Sequence, residues 1–340
     1  MQYRFEFRPY QRQFARSLST NHGTWNIREG IIIRLTNENG QVGWGEVAPL
    51  PWFGSETLEQ ALDFCRQVGE KITTEAIFNL PAELPACQFG FESAWENTHF
   101  LDKALTPQPP SGSSEGEKLK APLLVGQGLE ERFYSGLLPA GEAALHQWQT
   151  LWNQGYRTFK WKIGVASIEE ELKIFHQLIQ ALPQEAKLRL DANGGLSWNQ
   201  ANEWLKECDC VDIIEFLEQP LRVGEETAMG ELRDRYSTPI ALDESIATLN
   251  QIQASYRNGW RGIFVIKPSI VGSPSHLRQF CQQHQIDAVF SSVFETTIGR
   301  QAALKLAAEL SSPNRAVGFG INHWFNEDEE TTFEDLWKRL

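Results

Sequence analysis

The sequence predicts an α/β protein, an eight-stranded parallel barrel wrapped by helices and preceded by a smaller α+β module. Three observations carry that prediction. The chain has 340 residues, too many for one small domain and enough for a barrel of roughly 200 to 250 residues with a companion. From residue 121 onward, short apolar runs alternate with amphipathic stretches, the signature of repeated βα units. The ionisable residues that interrupt these runs stand at the same end of each, as they would at one face of a barrel.

Taken in order, Tyr3, Phe5 and Phe7 alternate with polar residues, and the runs 30–35 and 41–47 flank an N-E-N-G turn, so the chain opens as a three-stranded meander. Thr57 with Gln60 has the form of a capping box and opens a helix reaching Val68; a second helix is expected over 85–96. The stretch TPQPPSGSSEGEK at 106–118 is dense in Pro, Gly and Ser. It reads as a linker between an α+β module at 1–105 and a barrel at 119–320, with 321–340 as a C-terminal segment. Barrel strands are expected at 122–125, 158–162, 187–191, 213–218, 240–243, 262–267, 288–292 and 316–320. Closure into a barrel leaves no edge strand. Trp148, Trp152, Trp198 and Trp204 sit at helical spacing and are expected to pack against it.

Composition excludes several classes of function. With 41% hydrophobic and 22% charged residues the chain is an ordinary globular one. A formal charge of -13 provides no footprint for nucleic acid or an anionic membrane surface. The N-terminus is charged and alternating, unlike a signal peptide or a spanning helix, so a cytoplasmic protein without membrane insertion is expected. Five cysteines, of which only Cys208 and Cys210 are close in sequence, read as buried free thiols in a reducing compartment. The acidic run 327–330 reads as a solvated terminal segment. No obligate protein partner is evident.

Chemistry enters at the strand ends. Lys160 and Lys162 end the second run, Asp191 the third, Glu218 the fourth, Asp243 the fifth, Lys267 the sixth, and Ser291 with Ser292 the seventh. The steps from Lys162 to Ser291 are 29, 27, 25, 24 and 24 residues, each one βα unit. Such groups meet at one mouth of a barrel. Three carboxylates brought together there cannot all stay ionised without a cation. Ligation by oxygen alone favours a hard ion such as Mg2+. Proton abstraction next to a carboxylate creates a dianionic enediolate, which a metal stabilises while a lysine of lowered pKa takes the proton. Singly, each residue has a structural reading, since a strand-end carboxylate can cap a helix and Lys160 can simply pair with a carboxylate. Five ionisable groups at corresponding positions of five successive units are hard to obtain that way.

The motifs K-x-K (Lys160, Lys162), D-A-N (191–193), E-Q-P (218–220), D-E-S (243–245) and I-K-P (266–268) resemble the muconate-lactonising subgroup of the enolase superfamily, over nearly the whole chain. The resemblance implies a modified TIM barrel, (β/α)7β, with an N-terminal α+β capping domain. It implies Mg2+, replaceable by Mn2+, on Asp191, Glu218 and Asp243, with Lys162 as base, Lys267 as facing lysine, and Lys160 and Asn193 in support. The segment GWGEVAPLPWFGSETLEQA at 43–61 resembles the second capping-domain loop of o-succinylbenzoate synthases and makes Phe53 a candidate substrate contact. A hairpin end leading into a capped helix is the structural alternative. His22, Gly23 and Trp25 fall where that family's first mobile loop would lie, or in an ordinary exposed connection.

Arg189 is similar to an arginine of the same enzymes and points by strand alternation to the side of Asp191; an interior ion pair is its alternative. Ser291 and Ser292 are candidate donors to a substrate carboxylate, and Gly318 and Gly320 would allow close backbone approach. Phe294-Glu-Thr-Thr297 departs from the Ser-rich pattern of some members. The activity implied is a lyase acting on a small-molecule carboxylate, dehydrating 2-succinyl-6-hydroxy-2,4-cyclohexadiene-1-carboxylate to o-succinylbenzoate, toward menaquinone or phylloquinone. Racemases of N-acylated amino acids and dipeptide epimerases use the same scaffold with both lysines as bases. A non-catalytic barrel and a Schiff-base aldolase are further alternatives, and the aldolase leaves the three carboxylates unexplained.

Overall fold

The computed structural model describes residues 1–20, 23–99, 134–312, 314–320, 325 and 332–340. The expected linker 106–118, the expected strand 122–125, His22 and the acidic run 327–330 lie outside them.

The N-terminal module is an antiparallel sheet of order β3-β2-β1-β4, made of β1 (Gln2–Thr20), β2 (Gly23–Thr36), β3 (Val42–Val47) and β4 (Lys71–Thr73). Asn37 closes the β2–β3 turn, its side-chain oxygen accepting from the Asn39 and Gln41 amides at 3.0 and 2.9 Å. The expected meander is present, but β1 and β2 pair as far as Thr20 and Gly23. Trp25 therefore lies on a strand rather than in a loop. Helices α1 (Leu58–Val68), α2 (Thr74–Phe78) and α3 (Pro85–His99) complete the module, and the capping box at Thr57 and Gln60 forms as expected.

The second unit is a parallel sheet of seven strands in sequence order: β5 (Ser135–Leu138), β6 (Thr158–Lys162), β7 (Lys187–Asp191), β8 (Ile214–Glu218), β9 (Ile240–Leu242), β10 (Ile263–Ile266) and β11 (Ala288–Phe290). Residues 316–320, expected as an eighth strand, bridge both ends of this sheet in parallel: Val317 with Tyr134 and Gly318 with Ser291. The first described barrel strand is thus Ser135–Leu138, a short S-G-L-L run whose signal is weaker than that of 122–125. Helices α4 (Ala144–Asn153), α5 (Ile168–Ala181), α6 (Trp198–Cys208), α7 (Glu226–Arg235), α8 (Leu249–Arg257), α9 (Pro268–Val271), α10 (Pro274–His284) and α11 (Thr297–Leu310) follow the strands, and α12 (Phe333–Arg339) ends the chain.

Side-chain alternation sorts this barrel into layers. Outward residues such as Trp161, Leu190 and Leu217 join Trp148 and Trp204 in the large core between sheet and helices, with Trp152 and Trp198 packed on its border. Inward residues Phe216, Ala241, Ile263, Val265 and Val289 form a small apolar plug. Four of the five thiols are buried as expected; Cys210 is exposed.

The α+β module is fastened to the barrel through buried polar groups as well as apolar ones. Its core includes the barrel residues Ala247, Ile270 and Val293. Glu46 of β3 accepts from the Tyr10 hydroxyl at 2.5 Å and the Gly299 amide at 3.0 Å, and also from Thr296, so it caps α11 across the interface. Arg28 of β2, fully buried, donates to Val293 O at 2.9 Å. Glu92 of α3 accepts from the Ser275 amide at 3.0 Å, in the first turn of α10.

Candidate active site

Strand register sets the level of each functional group. Lys162 pairs with Asp191 across β6 and β7, Asp191 with Glu218 across β7 and β8, and Glu218 with Ala241 across β8 and β9, leaving Asp243 two residues higher. Lys267 follows β10 directly and Ser291 follows β11. Trp161, between the two lysines of β6, faces the helical layer against Trp204, which turns Lys160 and Lys162 toward the barrel axis.

The three lysines have different surroundings. Lys160 Nζ lies 2.7 Å from both Asp191 Oδ2 and Glu218 Oε1. Burial alone would lower its pKa, but the charges of Asp191 and Glu218 outweigh it and hold the ammonium protonated. Lys267 Nζ contacts Asp243 Oδ1 and stands 4.0 Å from the centre of the Phe53 ring, a cation over an aromatic face. Lys162 makes no ion pair among the described residues.

As placed, the carboxylates close on ammonium groups, and among the described residues no three His, Cys, Asp or Glu side chains surround a metal position. The donor set nevertheless fits a divalent cation. Burial raises the Glu218 pKa well above the usual carboxylate range, and Asp191 and Asp243 add to the rise. Glu244 is pushed up to about 7 by burial and by the same two aspartates. Its Oε1 accepts from Asn193 Nδ2 at 3.0 Å, while its Oε2 is buried without a partner. Four carboxyl groups thus face two engaged ammoniums, a donor set whose charge a hard divalent ion would balance.

Two residues of the motifs hold the carboxylate-bearing loops. Gln219 is fully buried with φ of 37°; its Oε1 accepts from the Asp243 amide at 2.9 Å, and its Nε2 donates to Ser245 Oγ at 2.8 Å. The Q of E-Q-P thereby locks the backbone of D-E-S. Asn193, with φ of 45°, donates its amide to Asp191 Oδ1 at 3.1 Å. Left-handed backbone at non-glycine residues is costly and persists where surrounding contacts enforce it. Sequence reasoning missed Gln219 and Glu244 as site residues, although both stand inside the quoted motifs.

The expected substrate contacts divide. Ser291 Oγ is buried without a partner, as a donor awaiting a ligand would be. Ser292 differs, its hydroxyl donating to Glu295. Gly318 and Gly320 serve the barrel seam: a Cβ would lie 2.9 Å from Ser291 Cβ in the first case and 2.6 Å from Ser135 O in the second. Phe53 meets the mouth through Lys267. Trp25 connects to Phe53 through Trp52, its ring 5.8 Å from Trp52, which in turn packs 5.8 Å from Phe53.

Arg189 makes the interior ion pair that was its alternative reading. It points inward as alternation requires, but at the deep end, where its Nε pairs with Glu215 Oε2 at 2.6 Å and its Nη2 donates to Ala316 O at 2.8 Å. Arg315 joins Glu215 at 3.0 Å and Asp287 at 2.6 Å. Phe216 lies against both guanidiniums. Arg189 therefore closes the barrel floor and has no position in the mouth.

Lysines and carboxylates crowded at the mouth of a capped (β/α) barrel define a site of the metal-assisted, proton-abstracting class. Residues 143–336 match the enolase C-terminal domain-like family, and residues 9–98 match the MenC N-terminal domain. The chain is 39% identical to the o-succinylbenzoate synthase of Thermosynechococcus vestitus, with 99% of each chain covered. The crystal structure of o-succinylbenzoate synthase from Thermosynechococcus elongatus BP-1, complexed with Mg in the active site, has a TM-score of 0.86 at 38% identity, covering 99% of this chain and 100% of that one. The Bacillus subtilis L-Ala-D/L-Glu epimerase, with a TM-score of 0.75 and 19% identity over 96% of this chain and 91% of its own, shares the fold. This chain belongs to the o-succinylbenzoate synthase family of the enolase superfamily.

Proposed function

We propose that the protein dehydrates 2-succinyl-6-hydroxy-2,4-cyclohexadiene-1-carboxylate to o-succinylbenzoate, a step toward menaquinone or phylloquinone. The observation that carries this reading is the full-length similarity to o-succinylbenzoate synthase, which spans the α+β module as well as the barrel. The epimerase fold relative is far more distant.

Asp191, Glu218 and Asp243 would hold Mg2+, with Mn2+ as a substitute. Such an ion, when bound, would supply positive charge for the substrate carboxylate. Lys162, as the neutral amine, takes the proton alpha to the ring carboxylate. The same residue, then an ammonium, returns that proton to the departing hydroxyl, so water leaves and the ring becomes aromatic. Lys267, steadied by Asp243 and Phe53, keeps positive potential on the opposite side. Lys160 neutralises part of the charge of Asp191 and Glu218. Ser291 offers its hydroxyl to a substrate oxygen. Among the described residues no helix is long and apolar enough to cross a membrane, and the reading places the enzyme in the cytoplasm without an obligate protein partner.

An absorbance assay for the aromatic product, run beside a panel of N-succinyl amino acids, tests the assignment. Turnover of the cyclohexadiene with slow or absent alpha-proton exchange on the panel is expected. Exchange on the panel faster than dehydration would reassign the protein as a racemase.

A further inference from the structure

We propose that Glu295 is a positioning residue that ties the segment bearing Lys267 to the segment bearing Ser291, so that the two groups keep one fixed spacing across the mouth. The inference rests on the dehydratase reading for what those groups do to substrate. Glu295 is buried, 3% exposed, in the loop between β11 and α11. Its Oε1 accepts from Ser269 Oγ at 2.7 Å and from the Val293 amide at 3.1 Å, and its Oε2 accepts from Ser292 Oγ. Ser269 stands two residues beyond Lys267, in α9, whose Ile270 amide bonds back to Lys267 O at 3.1 Å. Ser292 directly follows Ser291.

A carboxylate that only capped α11 would draw its donors from that helix. The donors here come from α9 and from the segment that follows β11, while Glu46 caps α11. Binding Ser292 also removes one of the two adjacent hydroxyls from the mouth, which leaves Ser291 as the available donor. The loop stores strain that needs such a clasp: Phe294 has φ of 65°, with its amide bonded to Ser292 Oγ at 2.9 Å. Arg12, from β1, donates to Glu295 O at 3.0 Å, so the α+β module braces the same residue. Without the carboxylate, buried donors on both segments lose their acceptor and each segment relaxes separately.

The test compares Glu295→Ala and Glu295→Gln with the wild type as full-length, Mg2+-loaded protein. Steady-state kinetics on the cyclohexadiene carboxylate, Mg2+ calorimetry, and amide hydrogen exchange of peptides 264–272 and 288–300 are the readouts. Glu295→Ala should raise KM and lower kcat by about tenfold each, the scale expected for sub-ångström misplacement of reacting groups. Exchange should quicken in both peptides, with Mg2+ affinity unchanged. Glu295→Gln should recover most activity, since its amide oxygen still accepts from Ser269 and Val293. If Glu295→Ala does not fold, Ser269→Ala and Ser292→Ala cut one arm each: the first should mainly lower kcat, the second mainly raise KM. Wild-type kinetics in Glu295→Ala, or in both single-arm variants, would overturn the proposal, as would faster exchange confined to 288–300. A wild type inert toward the cyclohexadiene would instead sink the dehydratase reading, with the exchange of the two peptides still deciding the tie.

Discussion

Three lysines within one barrel mouth have different surroundings, and the division of labour follows from that. Lys160 is clamped between two carboxylates and held protonated, so it is unsuited to take a proton. Lys162 carries no ion pair among the described residues. Lys162→Ala should therefore lower dehydration by about a hundredfold or more, the scale of a lost general base. Lys267→Arg should retain more activity than Lys267→Ala, because arginine keeps positive charge yet is no practical base. Steady-state rates on the cyclohexadiene give the ranking; equal damage from both Lys267 variants would mean that Lys267 moves a proton. These residues were legible because each ends a strand and one βα unit separates it from the next. Glu244 and Gln219 were not, since their roles arise from contacts between loops, where a linear motif carries no distance. Arg189 was half legible: alternation shows the face of a residue but not its depth in the barrel.

At the scale of elements, the barrel has a polar floor beneath its apolar plug. Burial would raise the Glu215 pKa, but Arg189 and Arg315 hold it below the usual range; Arg315 and Ser312 do the same for Asp287. Groups whose folded pKa is depressed contribute stability that is complete above their unfolded values and lost as pH falls through the folded ones. The wild type should thus lose thermal stability as pH drops below about 4, the ordinary carboxylate range. Glu215→Ala should cost about 3–5 kcal/mol at neutral pH, the penalty for stranding a buried partner charge. Its melting temperature should also fall less steeply with acid. A wild-type melting curve indifferent to acid, or a Glu215→Ala variant as stable as wild type, would remove the floor from the account. Element identities were largely readable, since apolar period and capping residues are local; β5 was not, because its four residues are short and include a glycine.

For the whole molecule, the sequence implied a barrel under an α+β cap, and the structure adds how the two are joined. Glu46, Arg28 and Glu92 reach from the cap to barrel loops and helices. None of the three attracted attention in the sequence, because a buried charge is recognised only by its neighbours. This fastening places Phe53 over Lys267 and encloses a mouth with more carboxylates than engaged ammoniums. The central claim is that this imbalance exists to hold a divalent cation on which proton abstraction depends. The most direct test follows o-succinylbenzoate formation from the cyclohexadiene after exhaustive chelation, then during titration with Mg2+ or Mn2+, for the wild type and for Asp191→Asn, Glu218→Gln and Asp243→Asn. The account predicts that chelation abolishes turnover, that either ion restores it in the wild type, and that each variant loses ion affinity and activity together. Full turnover by the chelated wild type would contradict it.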